Sequence, residues 1–418
     1  MSRISNDMWR RAGCALAAAW ASAGVLAQPS GPGAEDGGGW ESSASLQTWA
    51  YATRTKPFLD SLLNPGNSVL GIARTQYLSD TRLDLALKSG DADLVLKPRL
   101  VGEIREGAAG SSSKSELYLS QAFGRFRLRP DLTITVGREL LTWGPANFRS
   151  PSNPYYYDAG KTRPLEDVPG VDLARIDWSF GRWTSTVGYV QGGRRNDEAW
   201  RRSLLLKLAY RGHDFMIGGV LGKSRGKSSF TGGHAQFSVG DAWLLYGELS
   251  STPSSAFAND VVVAQSTSRA TGRSTLATVG ASYTFEGGAS LATEYLHDGR
   301  GYGKDVQASY FSRVANVPAS GSPATGEAGG DGATRLLGRD YLYVLLQSNL
   351  QDPATYWRAS WTVNLQDRSR QLLLYGEHSL HPQAVVFASF LWNAGGRSTE
   401  FGAVVRSTAT VGFKFFLL

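Results

Sequence analysis

Between Trp143 and Gly170 the chain gathers side chains that could act on a passing solute: Trp143, Arg149, Tyr155, Tyr156, Tyr157, Asp158, Lys161, Arg163, Glu166 and Asp167. Three cations and three anions share this stretch with five prolines. Fixed charges of both signs on a shaped loop can sort ions and force a solute to exchange water for protein contacts. The prolines exclude a helix or a central strand, and the aromatic density is unlike a disordered linker. We expect the segment to fold inward and narrow a pore. The competing reading is an outer lid packed on its own tyrosines.

Bond-making chemistry has little support. The five histidines are His213, His234, His297, His378 and His381. His213 and His381 fall in short turns, and the others lie on separate periodic segments. No metal-ligand spacing, paired histidine or nucleophile elbow occurs, and the glycine-rich turns suit hairpins rather than phosphate. The reading is therefore no enzyme, no metal and no cofactor. The one cysteine, Cys14, lies near the N-terminus, inside a segment that reads as removed, so thiolate chemistry is excluded from the mature chain.

The elements that would position the loop follow a period of two. In Asp93–Arg105, Leu94, Leu96, Pro98, Leu100, Gly102 and Ile104 alternate with neighbours that include Lys97, Arg99, Glu103 and Arg105. In Tyr356–Leu365, Trp357, Ala359, Trp361, Val363 and Leu365 alternate with polar neighbours. Short connections such as Ser89-Gly90, Arg129-Pro130, Phe180-Gly181, Gly240-Asp241 and His381-Pro382 alternate with longer ones. The longer ones include 107–113, 143–170, 252–273 and 298–338. Eight short turns and nine loops join about eighteen strands, with sixteen the other even count left open. No window reaches 18 consecutive apolar residues, so no transmembrane helix is expected.

This is the pattern of an all-β, antiparallel transmembrane β-barrel, with short periplasmic turns and long extracellular loops. A soluble sandwich or propeller is the rival. It is disfavoured because no blade-length repeat occurs and because Trp and Tyr mark the strand ends: Trp143, Trp178, Trp183, Tyr189, Tyr210, Trp243, Tyr295, Trp357 and Trp392. Strand parity points Arg82, Lys97, Arg99, Arg105, Arg125, Arg127, Arg175 and Arg358 to the lumen, where cations outnumber anions. Cross-strand pairing that stiffens the wall is the plainer reading for any one of them.

Residues 1–27 read as a cleaved secretory signal, with Arg10 and Arg11 ahead of an apolar run ending at Val25-Leu26-Ala27. Cleavage takes the formal charge from +7 to +5 by removing Arg3, Arg10, Arg11 and Asp7. Residues 28–44 are then a short periplasmic segment, too short for a plug domain, and 45–418 form the barrel. The loop 298–338, rich in Gly, Ala and Ser, is expected to be mobile surface.

The last strand carries a family resemblance. Thr410, Gly412, Phe415 and Leu417 occupy the places of the C-terminal assembly signal of Gram-negative outer-membrane barrels, although the chain ends in leucine instead of phenylalanine. The strand pattern likewise resembles porin-type barrels over nearly the whole mature chain. A shorter likeness joins Gly137-Arg138-Glu139, Trp143-Gly144-Pro145 and Pro151–Pro154 to eighteen-stranded barrels of the alginate-export and capsule-surface kind.

These resemblances imply a Gram-negative outer-membrane protein in contact with lipid and lipopolysaccharide, delivered by the barrel assembly machinery. They imply a passive channel for small polar or anionic solutes, or for acidic oligo- or polysaccharide. The alternative is a surface barrel that binds capsule or exopolysaccharide with its lumen closed. Nucleic acid is not an expected partner, and both monomer and trimer remain open.

Overall fold

A computed structural model describes residues 39–107, 110–156, 162–193, 200–225, 229–253, 272–316, 336–352 and 354–417. The expected signal sequence, residues 1–27, lies outside them, as do Tyr157, Asp158 and Lys161.

Alternating residues put every second side chain on one face of a strand, and eighteen strands result. They are β1 (Glu41–Pro57), β2 (Thr75–Lys88), β3 (Ala92–Gly107), β4 (Gly110–Arg129), β5 (Leu132–Glu139) and β6 (Val171–Phe180). Next come β7 (Trp183–Gly192), β8 (Ser203–Arg211), β9 (Phe215–Ser224), β10 (Ser229–Val239), β11 (Trp243–Pro253) and β12 (Arg273–Thr284). The last are β13 (Ser290–Asp298), β14 (Asp340–Gln347), β15 (Thr355–Asn364), β16 (Arg370–His381), β17 (Ala384–Ala394) and β18 (Val405–Phe416). Each pairs antiparallel with its chain neighbours, and β1 pairs with β18, Thr53 opposite Thr410, so the sheet closes on itself. Closure leaves no edge strand, which is what hydrocarbon demands of a sheet.

The outer face is apolar. Leu94, Leu206, Ile217, Leu249, Val279 and Val411 are exposed, as are the strand-end aromatics Trp178, Trp183, Trp243, Tyr295, Trp357 and Trp392. Trp143 is the exception among the expected girdle residues. It follows β5 in a loop and donates its indole N–H to the Ser152 carbonyl at 2.9 Å.

At the C-terminus Val411 and Phe413 face outward and Phe415 stacks on Phe413. Thr410 faces inward, 2.9 Å from the Thr53 hydroxyl. A Cβ on Gly412 would strike Tyr51 and Phe387, so glycine is needed for these two aromatics to fill the lumen behind it. Leu417 donates its N–H to Leu46 and continues the seam.

Three expected boundaries move. β1 starts at Glu41, ahead of the expected end of the periplasmic segment at residue 44. The expected loop 107–113 is mostly strand: β3 and β4 run for 16 and 20 residues and pair up to Gly107 and Gly110. That exceeds the roughly 9–11 residues a membrane crossing needs, so this hairpin stands clear of the bilayer. The loop 298–338 contains a helix, α1 (Lys304–Asn316). Its Tyr310 and Phe311 are buried against Leu63 and Ala403, so this half of the loop is packed rather than mobile surface. The glycine-rich part, 317–335, lies outside the described residues.

Candidate functional site: a loop across the lumen

The loop between β5 and β6, residues 140–170, runs inward. Two acids on the far wall hold it. Glu248 on β11 accepts hydrogen bonds from Ala146 N at 2.9 Å, Ser150 Oγ at 2.6 Å, Ser152 N at 3.1 Å and Ser152 Oγ at 2.7 Å. Glu294 on β13 accepts from Asn147 N at 2.5 Å, Phe148 N at 2.9 Å and the Tyr246 hydroxyl at 2.6 Å. Phe148 then stacks on Tyr343 of β14, with ring centroids 4.7 Å apart. β14 lies nine strands from β5 in a ring of eighteen, so the loop reaches the opposite wall.

Gly144 makes this approach sterically feasible. Its φ is +83°, and a Cβ there would collide with the Glu248 carboxylate.

The near end of the loop packs as a small core. Leu141, Tyr155 and Tyr156 bury themselves against the lumenal side chains Leu173, Val190, Leu205, Val220 and Phe230, with Trp143 beside them. Tyr155 and Tyr156 fasten this end of the loop. The Tyr155 hydroxyl lies 2.9 Å from Ser203 Oγ, and the Tyr156 hydroxyl donates to Pro169 O at 2.8 Å. Burial pushes the Tyr155 hydroxyl up to about 12 against the hydrogen bond to Ser203, and burial raises Tyr156 further, so both stay neutral donors.

The returning arm fastens to the near wall. Asp167 lies 3.4 Å from Arg99 and accepts from the Tyr118 hydroxyl at 3.3 Å. Arg82 donates to the Leu165 carbonyl at 3.3 Å. Within the loop, Arg163 pairs with Glu166 at 2.6 Å, and Arg149 donates to Phe148 O at 2.8 Å while lying over its ring.

The lumenal cations expected from parity are mostly held by carboxylates. Arg82 pairs with Asp80 at 2.6 Å and stacks on Trp49 at 3.6 Å. Lys97 and Arg99 share Asp84 at 3.1 and 2.7 Å, and Arg105 takes Glu103 at 2.5 Å. Arg125 and Arg175 share Glu139 at 2.6 and 3.0 Å. Arg358 lies 3.5 Å from the Tyr343 hydroxyl. Arg127 binds the Gly90 carbonyl in the short turn between β2 and β3. Arg138, which parity did not single out, forms a two-pronged pair with Asp172 at 2.8 and 2.9 Å.

Above the crossing loop lies a cavity of about 900 Å³. The loop, α1, the wall strands and the loop between β17 and β18 all line it. Its charged lining comprises three arginines, Arg149, Arg163 and Arg300, and four acids, Asp80, Glu166, Asp167 and Glu400. The positive lean expected of the lumen does not extend into this cavity. Two causes are plain: the wall cations are neutralised by neighbours, and most of these acids come from loops that strand parity cannot count.

Glu400 is the most unusual of the four. Its carboxylate accepts from the Tyr341 hydroxyl at 2.6 Å, Asn364 Nδ2 at 2.7 Å and Leu337 N at 3.0 Å. Burial pushes it up to about 7 against these donors, and Asp367 nearby raises it further.

No family model matches the chain, and no curated protein matches it significantly. Its barrel is similar to solved structures from Pseudomonas aeruginosa. OccK11 (OpdR) superposes with a TM-score of 0.53 at 11% identity, over 90% of this chain and 96% of that one. OccK7 (OpdD) gives 0.51 at 10% identity, over 90% and 99%. OprD gives 0.50 at 9% identity, over 90% and 96%. The shared property is the fold: a closed, eighteen-stranded antiparallel transmembrane barrel.

Proposed function

We propose that this protein is a passive outer-membrane channel for small polar or anionic solutes, exported by its N-terminal signal and inserted through its C-terminal strand. One observation carries the reading: the 140–170 loop crosses the lumen on Glu248 and Glu294 and leaves a cavity of about 900 Å³ above it. A crossing loop in a wide barrel sets pore size and polarity where solute and wall are closest. The carboxylate-paired arginines along β2–β6 offer a solute replaceable partners along one wall. The cavity volume suits a small molecule better than a polymer strand.

Single-channel recording in planar bilayers under a salt gradient tests the proposal. Discrete open steps that grow when Asn147–Val168 is deleted are the expected result. A folded, silent barrel that stays silent after the deletion overturns it and favours a surface protein that binds glycan with its lumen closed.

A further inference from the structure

The lumenal wall of a polar channel has no use for leucine, yet large aliphatic side chains line the cavity from its strands. Leu373 on β16 and Leu391 on β17 sit directly opposite each other in the register, and both line the cavity. Leu78 on β2, opposite Tyr51 of β1, and Val101 on β3 continue the strip across the β18–β1 seam. Bilayer contact cannot account for them. Their outward neighbours Leu374, Phe390 and Trp392 are the exposed, lipid-facing residues of the same strands. Phe148 of the crossing loop and Phe311 of α1 line the same space. Sites that hold small molecules have this character: an apolar lining of about 300–1,000 Å³ with a few placed polar groups. Here the polar groups are arginines and acids of both signs, which suit a head group of either sign, so the aliphatic strip supplies the selectivity.

We infer that this cavity binds the apolar body of an amphipathic small solute, an alkyl or alicyclic chain with one polar head, against the inward strip of Leu78, Val101, Leu373 and Leu391. The inference rests on the reading of the lumen as a solute path and names the solute class. Burying one methylene improves affinity about fourfold.

The test is calorimetric titration of the full mature chain in lipid nanodiscs with butane-, hexane- and octane-1-sulfonate, with empty nanodiscs subtracted. The expected result is an affinity that climbs roughly two-hundredfold from four to eight carbons. Octyltrimethylammonium is expected to match octanesulfonate within about threefold, since the chain and not the head drives binding. The double substitution Leu373→Asn with Leu391→Asn flattens the chain-length dependence. Heat-modifiable gel migration verifies that the variant barrel is assembled, and Leu78→Asn is the second variant if it is not. Equal affinity along the series, or no binding by any member, overturns the inference. Binding does not require conduction, so a steep series in a silent barrel would sink only the channel proposal. A conducting barrel with a flat series would sink only this one.

Discussion

Glu294 of β13 accepts the backbone N–H of Phe148 at 2.9 Å from a loop that starts on the other side of the barrel. The same carboxylate takes Asn147 N and the Tyr246 hydroxyl, so its bonding capacity is largely spent on holding the loop. A buried carboxylate in a strand otherwise reads as a pore charge, and here it is an anchor.

Glu294→Gln is expected to weaken the crossing without unfolding the barrel. Hydrogen bonds to a charged acceptor contribute about 1.5–3 kcal/mol each, and the amide cannot replace both loop N–H bonds. Single-channel recordings of the variant should show larger mean conductance and more flicker. Combining it with Glu248→Gln should enlarge both effects. Conductance identical to the parent protein would mean that other contacts hold the loop.

Gly144→Ala places a methyl group against the Glu248 carboxylate at a positive φ. Left-handed backbone costs a non-glycine residue about 1–2 kcal/mol before the collision is counted. The temperature at which the folded band converts to the unfolded one on a gel should fall. Gly181→Ala, in an open turn at φ +61°, bears only the conformational cost and should shift it less.

Gly412→Ala should lower the yield of barrel folded into lipid vesicles, because its methyl group meets Tyr51 and Phe387 at the closing seam. Val411→Ala, on the outer face of the same strand, removes only lipid contact and should fold nearly as well. Equal yields for the two would separate this glycine from assembly.

Glu400 predicts a pH dependence with a definite sign. Its folded value of about 7 lies above the ordinary 4.5, so the folded state holds the proton more tightly. The contribution to stability is therefore full below about 4.5 and falls as pH rises through 7. The Leu337 amide, which donates to Glu400 at 3.0 Å, should lose hydrogen-exchange protection between pH 5 and 8 after correction for intrinsic rate. In Glu400→Gln the protection should be flat across that interval.

Much of the barrel is legible in the alternation, because a two-faced strand leaves a period that single residues cannot disguise. The Tyr356–Leu365 run and the ends at Trp178 and Trp243 sit where that period puts them. For the 143–170 segment the prolines and tyrosines mark a shaped loop outside the wall, and leave both an inward fold and an outer lid as readings. What it binds is not legible, since Glu248 and Glu294 look like any other wet-face acid in their strands.

A signal for the loop's resting place does exist. Leu204, Leu205 and Leu206 are consecutive, as are Leu342-Tyr343-Val344, so β8 and β14 are apolar on both faces. A strand with lipid outside and water inside has no reason to be so, and both of these strands lie under the loop. The helix α1 was hidden by its glycine-rich neighbours, and the cavity's acids by their place in loops.

Glu294 grips Asn147 and Phe148, and Glu248 grips Ala146, entirely through main-chain amides. The wall therefore reads the loop's backbone at these three positions, and the stacking of Phe148 on Tyr343 and the Asn147 side-chain bond to the Tyr246 hydroxyl add to that grip. A main-chain grip survives a change of side chain, so the span stays fastened through these amides even where a neighbouring loop residue is exchanged. Proline is barred there, for want of the hydrogen each carboxylate needs.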